Sequence, residues 1–177
     1  MGALSCPALI FMLTKQTPQS LARQFCLGAY VNAVEPPLWR ETFEYLSQLA
    51  DETAFQKAKI AALWIQYGGD LRAKIRDDDL ILAVLRKALP GYDGEGCTLY
   101  RGECWFLFDR DEIGFCWTPS QEIATSYAKG LNAVDTGGVL LRCYAPAEAI
   151  LGMENTVFVC DPSRLLRLTT LELFPKL

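Results

Sequence analysis

The chain has 177 residues, of which 51% are hydrophobic, 11% aromatic and 21% charged, with 17 basic and 21 acidic side chains and a net charge of −4. That profile excludes disorder. A chain this long buries roughly 70% of its unfolded surface, so it needs no disulfide or metal staple. No block of Lys or Arg exceeds the two neighbours Arg86-Lys87, so no electrostatic footprint for duplex nucleic acid is written. Histidine is absent, which removes Ser-His-Asp and Cys-His catalysis and His-ligated zinc.

The first stretch, "MGALSCPALIFMLTKQTP", has an apolar run of about ten residues, the length of a signal h-region. It lacks a basic flank, carries Pro7 and is too short to span a bilayer, so it reads as a buried or partly ordered arm. A short helix is expected within residues 19–30. Glu35 to Leu49 opens with two prolines and then places Trp39, Phe43, Leu46 and Ala50 on one helical face. Thr53 to Tyr67 repeats the pattern with Phe55, Ala58, Ala62 and Ile65, and Gly68-Gly69 is expected to end it. Asp77-Asp78-Asp79 suits the positive end of a third helix, Arg86-Lys87 the negative end, and Pro90-Gly91 stops it.

After Gly96 the texture changes. Strands are expected at Cys97–Arg101, Trp105–Phe108, Gly114–Thr118, Gly138–Tyr144, Thr156–Cys160 and Leu165–Phe174. One helix, Pro119 to Gly130, interrupts them, with Ile123, Ala124 and Tyr127 sharing a face. The class is α+β, a helical segment over 1–93 and a strand-rich core over 94–177, together one compact domain. Seven cysteines form no C-x-x-C pair. Free thiols in apolar runs fit a reducing, cytoplasmic setting.

The stretch "TLYRGECW", Thr98 to Trp105, places an arginine at an expected strand end with a glycine beside it. A guanidinium fork next to bare backbone suits an anion. The order "LYRG" (Leu99 to Gly102), "FCWTPS" (Phe115 to Ser120) with Ala124 and Tyr127-Ala128, and "VCDPSRL" (Val159 to Leu165) resembles the mono-ADP-ribosyltransferase superfamily. The branch is the arginine–serine–glutamate one found in bacterial toxins and phage-encoded effectors. The resemblance covers about residues 95–168 and implies a split β-sheet core that takes NAD as substrate, with no metal, and a protein as target.

By that resemblance Arg101 grips phosphate and ribose, while Tyr100, Gly102, Cys116, Trp117, Thr118 and Tyr127 line the NAD site. Trp117, Tyr127 and Trp105 are each candidates to stack on nicotinamide. The family's serine position holds Cys116, and the position of its glutamate aligns with Val157; the nearest acid is Glu154, with Glu148 and Asp161 farther off. Glu154 is therefore the candidate to polarise the ribose as neutral nicotinamide departs. Two alternatives stand beside this reading. One is a catalytically silent scaffold that binds and blocks a protein. The other is a reactive thiol at Cys104 or Cys116, which lacks an activating base.

Overall fold

A computed structural model describes residues 16–177; the expected N-terminal arm lies outside the described residues. Four helices come first: α1 (Pro18–Cys26), α2 (Pro36–Gln48), α3 (Lys57–Ile75) and α4 (Asp78–Ala88). Each has a local reason to start. Thr17 caps α1 in a reciprocal capping box with Ser20, prolines open α2, and the Asp77 carboxylate accepts the Leu80 N–H at 3.0 Å to cap α4.

Helix α3 departs from the expected boundary by running through Gly68-Gly69 to Ile75. The reason is packing: a Cβ on Gly68 would stand 2.8 Å from the Trp64 ring, so glycine there makes room for a buried indole. Termination falls instead to Arg76, which takes a left-handed φ of 53° at the C-cap.

The strand-rich half holds β1 (Cys97–Cys104), a single helical turn α5 (Trp105–Phe108), β2 (Cys116–Trp117), α6 (Gln121–Lys129), β3 (Gly138–Ala145), β4 (Ile150–Glu154), β5 (Val157–Cys160) and β6 (Leu166–Phe174). Two antiparallel sheets form, ordered β1-β3-β6 and β2-β5-β4. They meet through one bridge, in which Tyr100 N–H donates to Thr118 O at 2.7 Å and Thr118 N–H to Tyr100 O at 2.9 Å.

Two expectations fail here for stated causes. Trp105–Phe108 is helical rather than extended: "WFLF" has no alternation, and Trp105 N–H and Phe106 N–H are tied to Gly137 O and Thr136 Oγ1. Strand β4 was not foreseen because Gly, Met and Glu give little strand preference. Its two-residue turn with β5, with Asn155 at φ 54°, supplies the pairing instead.

The helical half packs around Trp39, Phe43, Leu46, Trp64, Leu71 and Leu85, and Phe115 and Val159 from the second half enter the same core. A second core lies under β1 and β3, around Leu99, Trp117, Leu141 and Phe158. Helix α6 sits on the other face of β1 and β3. Of its expected apolar face only Ala124 is buried, joined by Ala128, while Ile123 and Tyr127 are exposed. No helix among the described residues is long and apolar enough to cross a membrane.

Candidate functional site

Alternation along β1 puts Leu99, Arg101 and Glu103 on one face. Arg101 is not at the strand end, since β1 continues to Cys104. Its Nε donates to Glu103 Oε2 at 2.6 Å, and its Nη1 reaches across the sheet junction to Cys116 O, also at 2.6 Å. Nη2 has no protein acceptor among the described residues, and the side chain is 18% exposed. A methyl group on Gly114 would strike that same Nη2, so the loop before β2 closes over the guanidinium only because residue 114 is glycine.

Glu103 is almost fully buried and gathers a full set of donors. Besides Arg101, its oxygens accept the backbone N–H of Gly114 at 2.9 Å and of Cys104 at 3.0 Å. Burial alone would raise its pKa, but the Arg101 charge and these hydrogen bonds outweigh burial and hold the carboxyl below its ordinary value. Burial likewise opposes the charge on Arg101, and Glu103 beside it holds the guanidinium above its ordinary value. The pair is fixed in its ionised form.

The other expected site residues are distributed as follows. Gly102 does not leave its backbone open to a ligand: a Cβ there would run into Ala124 O and Ala128 N of α6, and its own carbonyl accepts from Asn132 at 2.7 Å. The bare backbone serves helix packing. Tyr100 joins the sheets through its backbone and packs beside α6. Thr118 completes that bridge, and its Oγ1 accepts the Ser120 N–H at 3.2 Å.

Trp117 is core, 1% exposed, with its indole N–H buried and without a partner among the described residues, so it is not placed to stack on a ligand. Tyr127 lies 55% exposed on the outside of α6, and Trp105 is also exposed. Cys116 offers its carbonyl to Arg101, while burial pushes its thiol up despite the Arg101 charge, which works against a reactive thiol.

Glu154 is not on a loop but ends β4, opposite Val157. Since Val159 stands opposite both Gly152 and Cys116, Glu154 shares a sheet face with Cys116. Its one side-chain hydrogen bond among the described residues is accepted from Asn155 Nδ2 at 3.5 Å, and among those residues no hydrogen bond or ion pair joins it to Arg101. Asp161 is buried and committed: it accepts from Ser163 N–H and Oγ, and from Arg86 of α4 at 2.7 Å, clamping the end of β5 to the helical half.

Sequence reasoning passed over Glu103, although an acid two residues from an arginine on a strand must share its face. It also passed over a cleft of about 730 Å³ lined by Gly69, Arg72, Arg76, Phe106, Arg110 and Glu112 among others. No local signal assembles these residues, which come from α3, α5 and the loop after α5. Asp78 pairs with Arg72 through two hydrogen bonds, of 2.9 and 2.6 Å, and Glu112 pairs with Arg110. Arg76 has no acidic partner among the described residues; its Nε donates to Ala73 O.

Arg101 does not line the cleft; a chain of contacts leads from one to the other. Arg72 lies over the Phe115 ring at 5.3 Å, and Phe115 precedes the Cys116 carbonyl that Arg101 holds. Comparison with known families, curated proteins and solved structures finds no match for this chain.

Proposed function

We propose that the chain is a mono-ADP-ribosyltransferase that takes NAD at the junction of its two sheets and transfers ADP-ribose to a protein. The observation that carries this reading is the junction itself. Two small antiparallel sheets part at the Tyr100–Thr118 bridge, and Arg101 spans the gap with Nη2 packed on Gly114 and without an acceptor among the described residues. The resemblance implies a split sheet with an arginine at a strand end; here Arg101 lies within β1, three residues before its end.

The cleft at α3 and α5 falls within the size range of ligand pockets, about 300–1,000 Å³. Arg76 brings positive charge without an acidic partner, and the half-exposed Phe106 brings an aromatic surface. In the reaction the bond between nicotinamide nitrogen and ribose C1′ breaks, and nicotinamide leaves neutral. A nucleophile of the target bonds to C1′ and gives up its proton. The carboxylate assigned to the positive charge developing on the ribose is Glu154, the acid on the face shared with Cys116.

A second reading, a silent scaffold that captures a protein, draws on a specific observation. The acid seated on Arg101 is Glu103, which neutralises it, and Glu154 has a hydrogen bond only from its neighbour Asn155 among the described residues. NAD binding separates the two. Under the transferase reading, millimolar NAD raises the melting temperature of the wild type, by mass action on the folded state, and raises that of Arg76→Glu less. A wild type whose melting point ignores NAD would leave the silent scaffold as the account of this fold.

A further inference from the structure

The cleft at α3 and α5 carries more positive charge than it neutralises. Three arginines line it, Arg72, Arg76 and Arg110, against two acids, Asp78 and Glu112. Each acid is taken up within the lining, Asp78 by Arg72 and Glu112 by Arg110. Only the Nε of Arg76 is engaged, on Ala73 O at 3.2 Å, so both terminal nitrogens are without an acceptor among the described residues. The Arg110 guanidinium lies over the half-exposed Phe106 ring, 4.9 Å from its centroid, and gives the lining a flat face. Flat rings stack on aromatic and guanidinium planes alike.

A second observation is the glycine at position 69. Gly69 lies inside α3, where glycine is less favourable than alanine, and its φ is not left-handed. A Cβ there would meet nothing within 4 Å, whereas one on Gly68 would strike the Trp64 ring. Packing accounts for Gly68. What Gly69 supplies is room in the cleft that it lines.

We propose that this cleft binds a flat aromatic ring joined to a phosphate, as in a nucleoside monophosphate, with the phosphate on Arg76 and the ring against Phe106 and Arg110. A guanidinium fork matches phosphate oxygens in pairs, and the one arginine left over by the two acids favours an anion. A volume of about 730 Å³ exceeds what a lone phosphate fills and suits a ligand of nucleotide size. Because Arg101 is not in the lining, the inference stands whether or not the junction cleaves NAD.

Calorimetric titration of the full chain with AMP, adenosine and inorganic phosphate tests it. The wild type is expected to bind AMP at least about tenfold more tightly than either fragment, and Arg76→Ala to lose about tenfold in AMP affinity. Gly69→Trp, which fills the cleft, is expected to abolish AMP binding, while Gly69→Ala melts no lower than the wild type. Should Gly69→Trp fail to fold by circular dichroism, Arg76→Ala decides. Folded wild type that does not bind millimolar AMP, phosphate bound as tightly as AMP, or AMP affinity undiminished in Arg76→Ala or folded Gly69→Trp would each overturn the proposal. So would AMP binding lost in Arg101→Lys but kept in Gly69→Trp, which would put the nucleotide at the junction instead.

Discussion

The helical half and the strand-rich half bury different things. Around α1 to α4 nearly every buried side chain is apolar; Thr42 is the exception, and it returns its hydroxyl to Leu38 O at 2.6 Å. The strand-rich half buries Glu103 and Asp161, holds a largely buried arginine, leaves the Trp117 indole N–H without an acceptor, and leaves β6 bare. Polar burial is costly unless it is satisfied, so a half that tolerates it is constrained by more than packing. The helical half behaves as a support: Phe115 and Val159 are anchored in its core, and Arg86 holds Asp161.

The largest effect should come from the support. Phe43→Ala removes a fully buried ring packed edge-on against Phe25 and is expected to cost about 4 kcal/mol in urea unfolding. If the sheets fold apart from the helices, the loss would appear as a separate transition. If Phe115 and Val159 tie the cores together, one transition moves.

Next comes the charged pair. Glu103→Gln leaves Arg101 without its partner and is expected to cost about 3 kcal/mol, a little under Phe43→Ala. The same group sets the acid limb. Glu103 and Asp161 are both held below their ordinary values against burial, Glu103 by Arg101 and Asp161 by Ser163 and Arg86. Their contribution is therefore full above the ordinary glutamate value of 4.5, and is lost as pH falls through the lower folded values. A pH series of unfolding curves should show stability flat at neutrality and falling below that value, with a shallower fall in Glu103→Gln.

Gly102→Ala pushes a methyl group into the α6 backbone and should cost about 2 kcal/mol without altering the Arg101 hydrogen bonds. The smallest effect is near zero. Trp117→Phe deletes a buried donor that has no acceptor, so the gain of about 1 kcal/mol in removed desolvation should nearly cancel the lost ring area. A large loss would mean that the indole N–H has a partner outside the described residues.

These contrasts also explain what could be read from the sequence. The helices were legible because their periodicity, prolines and acidic first turns are local signals. The α+β class followed from the change of texture after Gly96. Gly68 misled because a glycine that makes room for an indole looks the same in sequence as one that ends a helix. The strand bearing Arg101 was legible, and with it the face that Glu103 shares; what was not legible is Gly114, which folds back from eleven residues away to complete the Glu103 hydrogen bonds. The cleft formed by Arg72, Arg76 and Arg110 depends on tertiary assembly, and so was invisible to spacing. Gly102 was read as room for a phosphate, when the room is taken by α6.

The central claim is that the sheet junction cleaves NAD. The direct test is nicotinamide release from NAD by the full chain in a bacterial lysate, with Arg101→Lys and Glu154→Gln in parallel; the first keeps the charge beside Glu103 while losing the fork. The account predicts release by the wild type, a loss of orders of magnitude in both variants, and NAD affinity nearly kept in Glu154→Gln. Folded wild type that releases no nicotinamide, or variants that release it undiminished, would contradict it.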